Sequence, residues 1–199
     1  MQHRFERAED WVARFDDPQR DAWQKPDVVI AALQLAADDV VADVGAGTGY
    51  FAVRLARAVP NGKVIASDVE PDMVRYLGER ARKESLANVI AVQGDAGDPK
   101  LPERVGAILI VDVLHHVADR PAFFRALAGA LDDGGRIVVV DFKPDAPEEG
   151  PGPPRKHRLA IAELERDAKA AGLVLHAKDE ASLPYQYVVR FARPTGGMP

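Results

Sequence analysis

The spacing of apolar residues along this chain switches repeatedly between two periods. Val40-Val41-Ala42 and Lys63 to Ser67 are short β-type runs, each followed at once by an acid, Asp43 and Asp68. Asn88 to Gln93, Val105 to Val111, Ile137 to Val140, Leu173 to Ala177 and Tyr185 to Ala192 are further runs of this kind. Between them apolar residues recur at helical spacing. Phe51, Leu55 and Val59 form one such series, Met73, Val74 and Leu77 another within 71–84, and Phe123, Phe124 and Leu127 a third within 121–131. A last helix is expected over 159–171, stopped by Gly172, and Asp132-Asp133-Gly134-Gly135 reads as a turn.

Runs 105–111 and 137–140 are almost continuously apolar, as strands are when helices cover both faces of a sheet. Strands alternating with helices of this length predict a parallel sheet whose ligands gather outside the C-terminal strand ends. No helical pattern separates the last two strands, so they form an antiparallel hairpin. The expected fold is α/β, a three-layer α/β/α doubly wound sheet of seven strands, mostly parallel with the last strand antiparallel.

Composition narrows the function classes. At 199 residues the chain is of single-domain size and buries about 70% of its unfolded surface. Hydrophobic residues make up 47% and charged residues 29%, a globular composition rather than a disordered one. A formal net charge of −5 provides no broad basic surface for a nucleic-acid backbone, so a small-molecule partner is expected and nucleic acid is not. With no cysteine there is no disulfide framework, thiolate metal site or cysteine nucleophile. No acid and histidine spacing suggests another metal site. Met1 to Arg7 lacks an apolar run behind its charges and no stretch approaches 18 apolar residues, which predicts neither a signal peptide nor a membrane span and a cytoplasmic location.

The densest chemistry lies in Asp43-Val44-Gly45-Ala46-Gly47-Thr48-Gly49-Tyr50-Phe51, where strand period gives way to helix period across three alternating glycines. Glycine admits positive φ and leaves no Cβ in the way, and the free N–H groups of a new helix attract polar or anionic ligand atoms. A dinucleotide fingerprint, Gly-x-Gly-x-x-Gly, would need a third glycine at position 50, where Tyr50 stands. Gly45, Gly47 and Gly49 instead form Gly-x-Gly-x-Gly behind Asp43, which resembles motif I of the class I S-adenosylmethionine-dependent methyltransferases.

That resemblance covers about residues 26 to 192 and implies S-adenosyl-L-methionine as cofactor, S-adenosyl-L-homocysteine as product, and methyl transfer to a small acceptor without a metal. It implies that Asp43 and the turn of Gly45, Ala46, Gly47 and Gly49 hold the methionine part. Asp68 would accept the ribose hydroxyls, with Val69 against the nucleoside, and Asp95 with the Ala96 N–H would meet adenine. Asp112-Val113-Leu114-His115-His116 resembles the segment after the fourth strand of small-molecule methyltransferases, so Asp112 and His115 should face the crevice. His115 or His116, with an ordinary pKa near 6.5, would serve as base for a hydroxyl or amine acceptor, or else cap and pack the turn. Without cysteines the chain lacks the thiols that arsenic-methylating relatives would need. A nicotinamide-dependent oxidoreductase is the main alternative reading, opposed by Tyr50, by Asp95 and by the absence of a Tyr-x-x-x-Lys pattern. A cofactor-binding or regulatory protein that keeps the fold without the activity is the other.

Two less patterned segments flank this core. Residues 1–25 are expected as an N-terminal cap over the site, with Trp23, Gln24 and Lys25 at its mouth or Trp23 packed on the first core helix, ahead of a methyltransferase domain over 26–199. The loop from Asp141 to Pro154, Pro- and Gly-rich from Pro144 on, is longer than an ordinary connection and reads as a lid over the acceptor. Arg155-Lys156-His157-Arg158 then reads as a solvated first helical turn, and Tyr185 and Tyr187 alternate, so at most one of them faces the pocket.

Overall fold

A computed structural model describes residues 7–194; residues 1–6 of the Met1–Arg7 segment read above lie outside the described residues. Helices α1 (Ala8–Phe15), α2 (Arg20–Gln24) and α3 (Pro26–Leu33) precede β1 (Val40–Val44), α4 (Tyr50–Ala58), β2 (Lys63–Asp68), α5 (Pro71–Lys83) and β3 (Val89–Gln93). Then follow β4 (Val105–Val111), α6 (Arg120–Ala130), β5 (Leu131–Phe142), α7 (Ile161–Lys169), β6 (Val174–Asp179) and β7 (Gln186–Ala192). The seven strands run in the order β3-β2-β1-β4-β5-β7-β6. β1 pairs in parallel with β2 and β4, while β7 lies antiparallel between β5 and β6. The chain winds outward one way from β1 and the other way from β4, so the crevice of the doubly wound sheet opens beyond the C-terminal ends of these two strands.

The central strands are apolar throughout because each face buries its own layer. Ile108 and Ile110 of β4 pack with Phe123, Phe124, Leu127 and Leu164 from α6 and α7. Ala107 and Leu109, on the other face, pack with Val29, Leu33, Phe51 and Leu55 from α3 and α4. Arg136 of β5 fastens the C-terminal end of α3, donating to the Leu33 carbonyl, to Gln34 O at 2.6 Å and to Asp39 at 3.2 Å. These orphan carbonyls would otherwise face the sheet unpaired.

Two expected local features differ. The turn at 132–135 is absorbed into β5 as an irregularity: Leu131 pairs with Val105, and pairing resumes only at Arg136 with Ala107, with Gly134 at φ 78° between them. The run 155–158 does not open a helix. Arg155–His157 is a short 3-10 turn, α7 starts at Ile161, and Arg158 is buried, donating to the carbonyls of Ala146, Pro153 and Pro147 and so stapling the loop to itself. The basic spacing gave no sign of this, because the acceptors are backbone carbonyls 5 to 12 residues earlier. Among the described residues no helix is long and apolar enough to cross a membrane.

Leu109→Ala, in a fully buried central position, should lower unfolding free energy by about 2–5 kcal/mol in urea titration. Ile90→Ala, on the edge strand β3 and 40% exposed, should stay within about 1 kcal/mol of the parent protein.

Candidate active site

The glycine turn joins β1 to α4 with Gly45, Gly47 and Gly49 at φ 76°, 55° and 93°. The N–H groups of Gly45 and Ala46 bond to Ser67 O at 2.8 and 3.0 Å, tying the turn to β2. A Cβ on Gly45 would lie 2.2 Å from the Val113 side chain, so the turn presses against the segment that leaves β4. Gly47 donates its N–H to Asp68 at 2.8 Å, and the same carboxylate accepts from the Glu70 N–H at 3.0 Å. Asp68 therefore holds the turn and starts the α5 connection together, and Val69 beside it is exposed.

Four acids end four neighbouring strands. Asp43 in β1 is buried with one carboxylate oxygen unpartnered, and burial first, then Asp68, pushes its pKa up to about 7. Burial likewise raises that of Asp68. Asp112 follows β4 in a left-handed conformation, φ 59°, and its low-polarity surroundings, then Asp141, push it up to about 7. Asp141, in β5, is fully buried, with one oxygen unpartnered and the other 3.5 Å from the His115 imidazole. The His115 and His116 rings lie 4.1 Å apart, tilted at 43°, in the turn Leu114–His116, His115 inward and His116 at the surface.

Asp95 sits apart from this group. It is exposed beyond β3, ion-paired with Lys100 and bridged to Asp98, with Ala96 exposed beside it. The structure thus brings together Asp43, Gly45, Ala46, Gly47, Gly49, Asp68, Asp112 and His115, and leaves Val69, Asp95 and Ala96 along the outer rim of the β2 and β3 ends.

Helices α1 and α2 lie over the turn and supply what sequence reasoning missed. Arg20 stands 4.0 Å above the Tyr50 ring, and Asp43, Asp112 and Asp16 act on its charge. Its Nε donates to Gln24 at 3.0 Å, buried Gln24 donates to Gln186, and Gln186 donates to Asp112 at 2.6 Å. This polar chain runs from the N-terminal segment through β7 to the acid after β4. Arg80 of α5 bonds both Asp16 and Thr48 O at 2.9 Å, and Asp21 accepts from the Tyr50 hydroxyl and from Arg54 at 2.9 Å. The Trp23 ring meets Phe142 at 6.0 Å and Tyr185 at 6.3 Å, and Lys25 reaches Ser182 O at 2.8 Å. Tyr187 turns the other way into the core, its hydroxyl on Leu159 O at 3.0 Å. The only sign of these partners in the sequence was polar and aromatic residues in a segment too short for a domain.

A crevice of this kind stabilises a cation or an N–H-rich ligand at its acids and costs the unliganded protein stability. The unfolded Asp43 ionises near pH 3.9 and the folded one near 7, so between these values the folded state binds more protons and stability falls as pH rises. Asp43→Asn should therefore raise unfolding free energy at pH 8 by more than about 1 kcal/mol, and by much less at pH 4, in denaturant titrations at the two pH values. Gly45→Ala should do the reverse, destabilising by about 1–3 kcal/mol through the Val113 clash and positive φ.

A profile described as a methyltransferase domain matches residues 41–135, which run from β1 to the irregularity in β5. A ubiquinone/menaquinone biosynthesis C-methyltransferase UbiE of Pasteurella multocida (strain Pm70) is 32% identical over 105 residues, which are 51% of this chain and 39% of that protein. A probable ribosomal RNA small subunit methyltransferase A of Methanosarcina barkeri (strain Fusaro / DSM 804) is 40% identical over 77 residues, 39% of this chain and 25% of that protein. The chain thus spans well under half the length of these curated relatives. The solved structure of an S-adenosylmethionine-dependent methyltransferase from Aquifex aeolicus superimposes with a TM-score of 0.82 at 25% identity, covering 90% of this chain and 95% of that one. Residues 41–135 thus match a methyltransferase domain, and over 90% of its length the chain shares the fold of the S-adenosylmethionine-dependent methyltransferase from Aquifex aeolicus.

Proposed function

We propose that the protein transfers the methyl group of S-adenosylmethionine to a small-molecule acceptor at the crevice beyond β1 and β4. The observation that carries this reading is the glycine turn at positive φ beside a buried Asp43 with one carboxylate oxygen unpartnered, an arrangement that lets a ligand approach the backbone closely and offers an acceptor to its ammonium group. Thr48, whose buried hydroxyl also lacks a partner, faces the same turn. Asp43 and Thr48, with the turn from Gly45 to Gly49, would hold the methionine part of the cofactor, Asp68 its ribose, Val69 its nucleoside face, and at the rim Asp95, which here pairs with Lys100, would meet the adenine with Ala96. Asp112 completes the ring of acids, and Arg20 is suited to the cofactor's carboxylate because it is the cation set among them.

The cofactor supplies a methyl on a positively charged sulfur. The protein's own work is to align the acceptor, exclude water and take up any proton the acceptor loses; orientation alone is worth as much as about 7–11 kcal/mol of barrier. Residues 1–25 act in this reading as a cap, since Arg20, Asp16 and Asp21 all bond across to the turn and to α4 and α5. The net charge of −5 favours a small acceptor over a nucleic acid.

Calorimetry with S-adenosylhomocysteine and with NADH tests the assignment: S-adenosylhomocysteine should bind at micromolar or better affinity and NADH should not, and binding of NADH alone would refute it. Deleting residues 1–24 should weaken S-adenosylhomocysteine at least tenfold with the circular dichroism of the core retained; unchanged affinity would remove the cap.

A further inference from the structure

Asp141 has no task in holding the cofactor, and its surroundings are unusual. It is fully buried, its Oδ1 accepts the Phe142 N–H at 2.8 Å and lies 3.5 Å from His115 Nδ1, and its Oδ2 and His115 Nδ1 have no hydrogen-bond partner. The His115 side chain is 7% exposed. An unneutralised carboxylate in such a place is expensive, and an apolar residue of similar size would serve stability at least as well. The nearby polar groups are otherwise engaged: the Tyr187 hydroxyl bonds Leu159 O, and Gln186 bonds Asp112. The imidazole is thus the group within reach of Asp141, and it stands on the turn that leaves β4 at the crevice.

We propose that Asp141 is a positioning residue that fixes His115 with its proton on Nδ1, leaving Nε2 to accept a proton from an acceptor whose nucleophilic atom is a hydroxyl oxygen or an amine nitrogen. This rests on the methyltransferase reading and deepens it. The acceptor atom gives its proton to Nε2 and uses the electron pair so freed to bond the methyl carbon. The carbon–sulfur bond breaks with its pair left on sulfur, which becomes a neutral thioether, and the positive charge ends on the imidazolium beside Asp141. Compared with a lone histidine, the pair holds that charge better, as an oriented acid does for any histidine base. The charged groups acting on His115 are Asp141 from β5 and Asp112 from its own segment, with Arg20 of α2 acting on Asp112 and the His116 ring tilted alongside. Burial favours the neutral imidazole, and the two carboxylates outweigh it, holding its pKa above the ordinary value. With Asp43, Asp112 and Asp141 at the ends of adjacent strands, a carboxylate or phosphate next to the reacting atom is disfavoured, so the acceptor group is uncharged or cationic where it meets the site.

Nitrogen-15 histidine spectra of the full chain test this without an acceptor in hand. In the parent protein His115 should appear as the Nδ1–H tautomer and titrate above its ordinary value, and in Asp141→Asn its titration should drop by about one pH unit, a tenfold loss of proton affinity. S-adenosylhomocysteine affinity, measured by calorimetry on both proteins, should change less than threefold. An Nε2–H tautomer in the parent protein overturns the proposal even if Asp141→Asn does not fold, and so does an unshifted titration in a folded Asp141→Asn. Failure of the parent protein to bind S-adenosylhomocysteine would instead overturn the methyltransferase reading, leaving the histidine result to be judged on its own spectra. In methyl transfer to hydroxyl and amine acceptors, kcat should rise with pH through the His115 titration, and the acid limb should move to lower pH in Asp141→Asn. A His115→Ala variant that retains the full rate and the limb would remove the base.

Discussion

The arrangement depends on one electrostatic constraint: four neighbouring parallel strands end in carboxylates around a single crevice. Asp68, Asp43, Asp112 and Asp141 close β2, β1, β4 and β5, which are consecutive in the sheet. A parallel sheet brings equivalent ends of its strands together, so acids that are 25 to 69 residues apart along the chain become neighbours on adjacent strands. Low polarity and repulsion between neighbouring acids then push Asp43 and Asp112 up to about 7. Such a cluster is a liability in the unliganded protein and an asset when a cationic ligand enters.

The N-terminal helices relieve part of that strain. Arg20 brings a guanidinium among the acids and stacks on Tyr50, while Gln24 and Gln186 relay hydrogen bonds to Asp112. Because Asp16 and Asp21 are in turn held by Arg80 and Arg54, the segment is fastened from both sides of the glycine turn. The loop after β5 is held differently, by backbone carbonyls on Arg158 and by Gly152 lying against the Phe142 ring. The crevice is thus bordered by charge pairing on one side and by apolar and backbone contacts on the other.

Much of this was legible in the sequence. The apolar runs located every strand to within about two residues, except that β5 begins six residues earlier, because buried parallel strands leave an almost continuous hydrophobic imprint. Asp43, the glycines, Asp68 and Asp112 were found because each sits at a fixed place relative to a strand end. Asp141 was read only as the start of a loop, since one acid after an apolar run looks the same whether its side chain turns to solvent or to a histidine 26 residues earlier in the chain. Arg158 was misjudged for a similar reason: a basic run carries no mark of which member will be buried among carbonyls.

Local periodicity and turn chemistry therefore determined the layers, the strand directions and the glycine turn after β1, because those follow from contacts within a few residues and from which faces must be buried. Tertiary structure alone decided which polar groups meet: Arg20 over Tyr50, Gln24 on Gln186, and His115 beside Asp141. Such pairs join residues tens to more than a hundred positions apart, and the energy that selects them, desolvation against pairing, exists only once the crevice has formed.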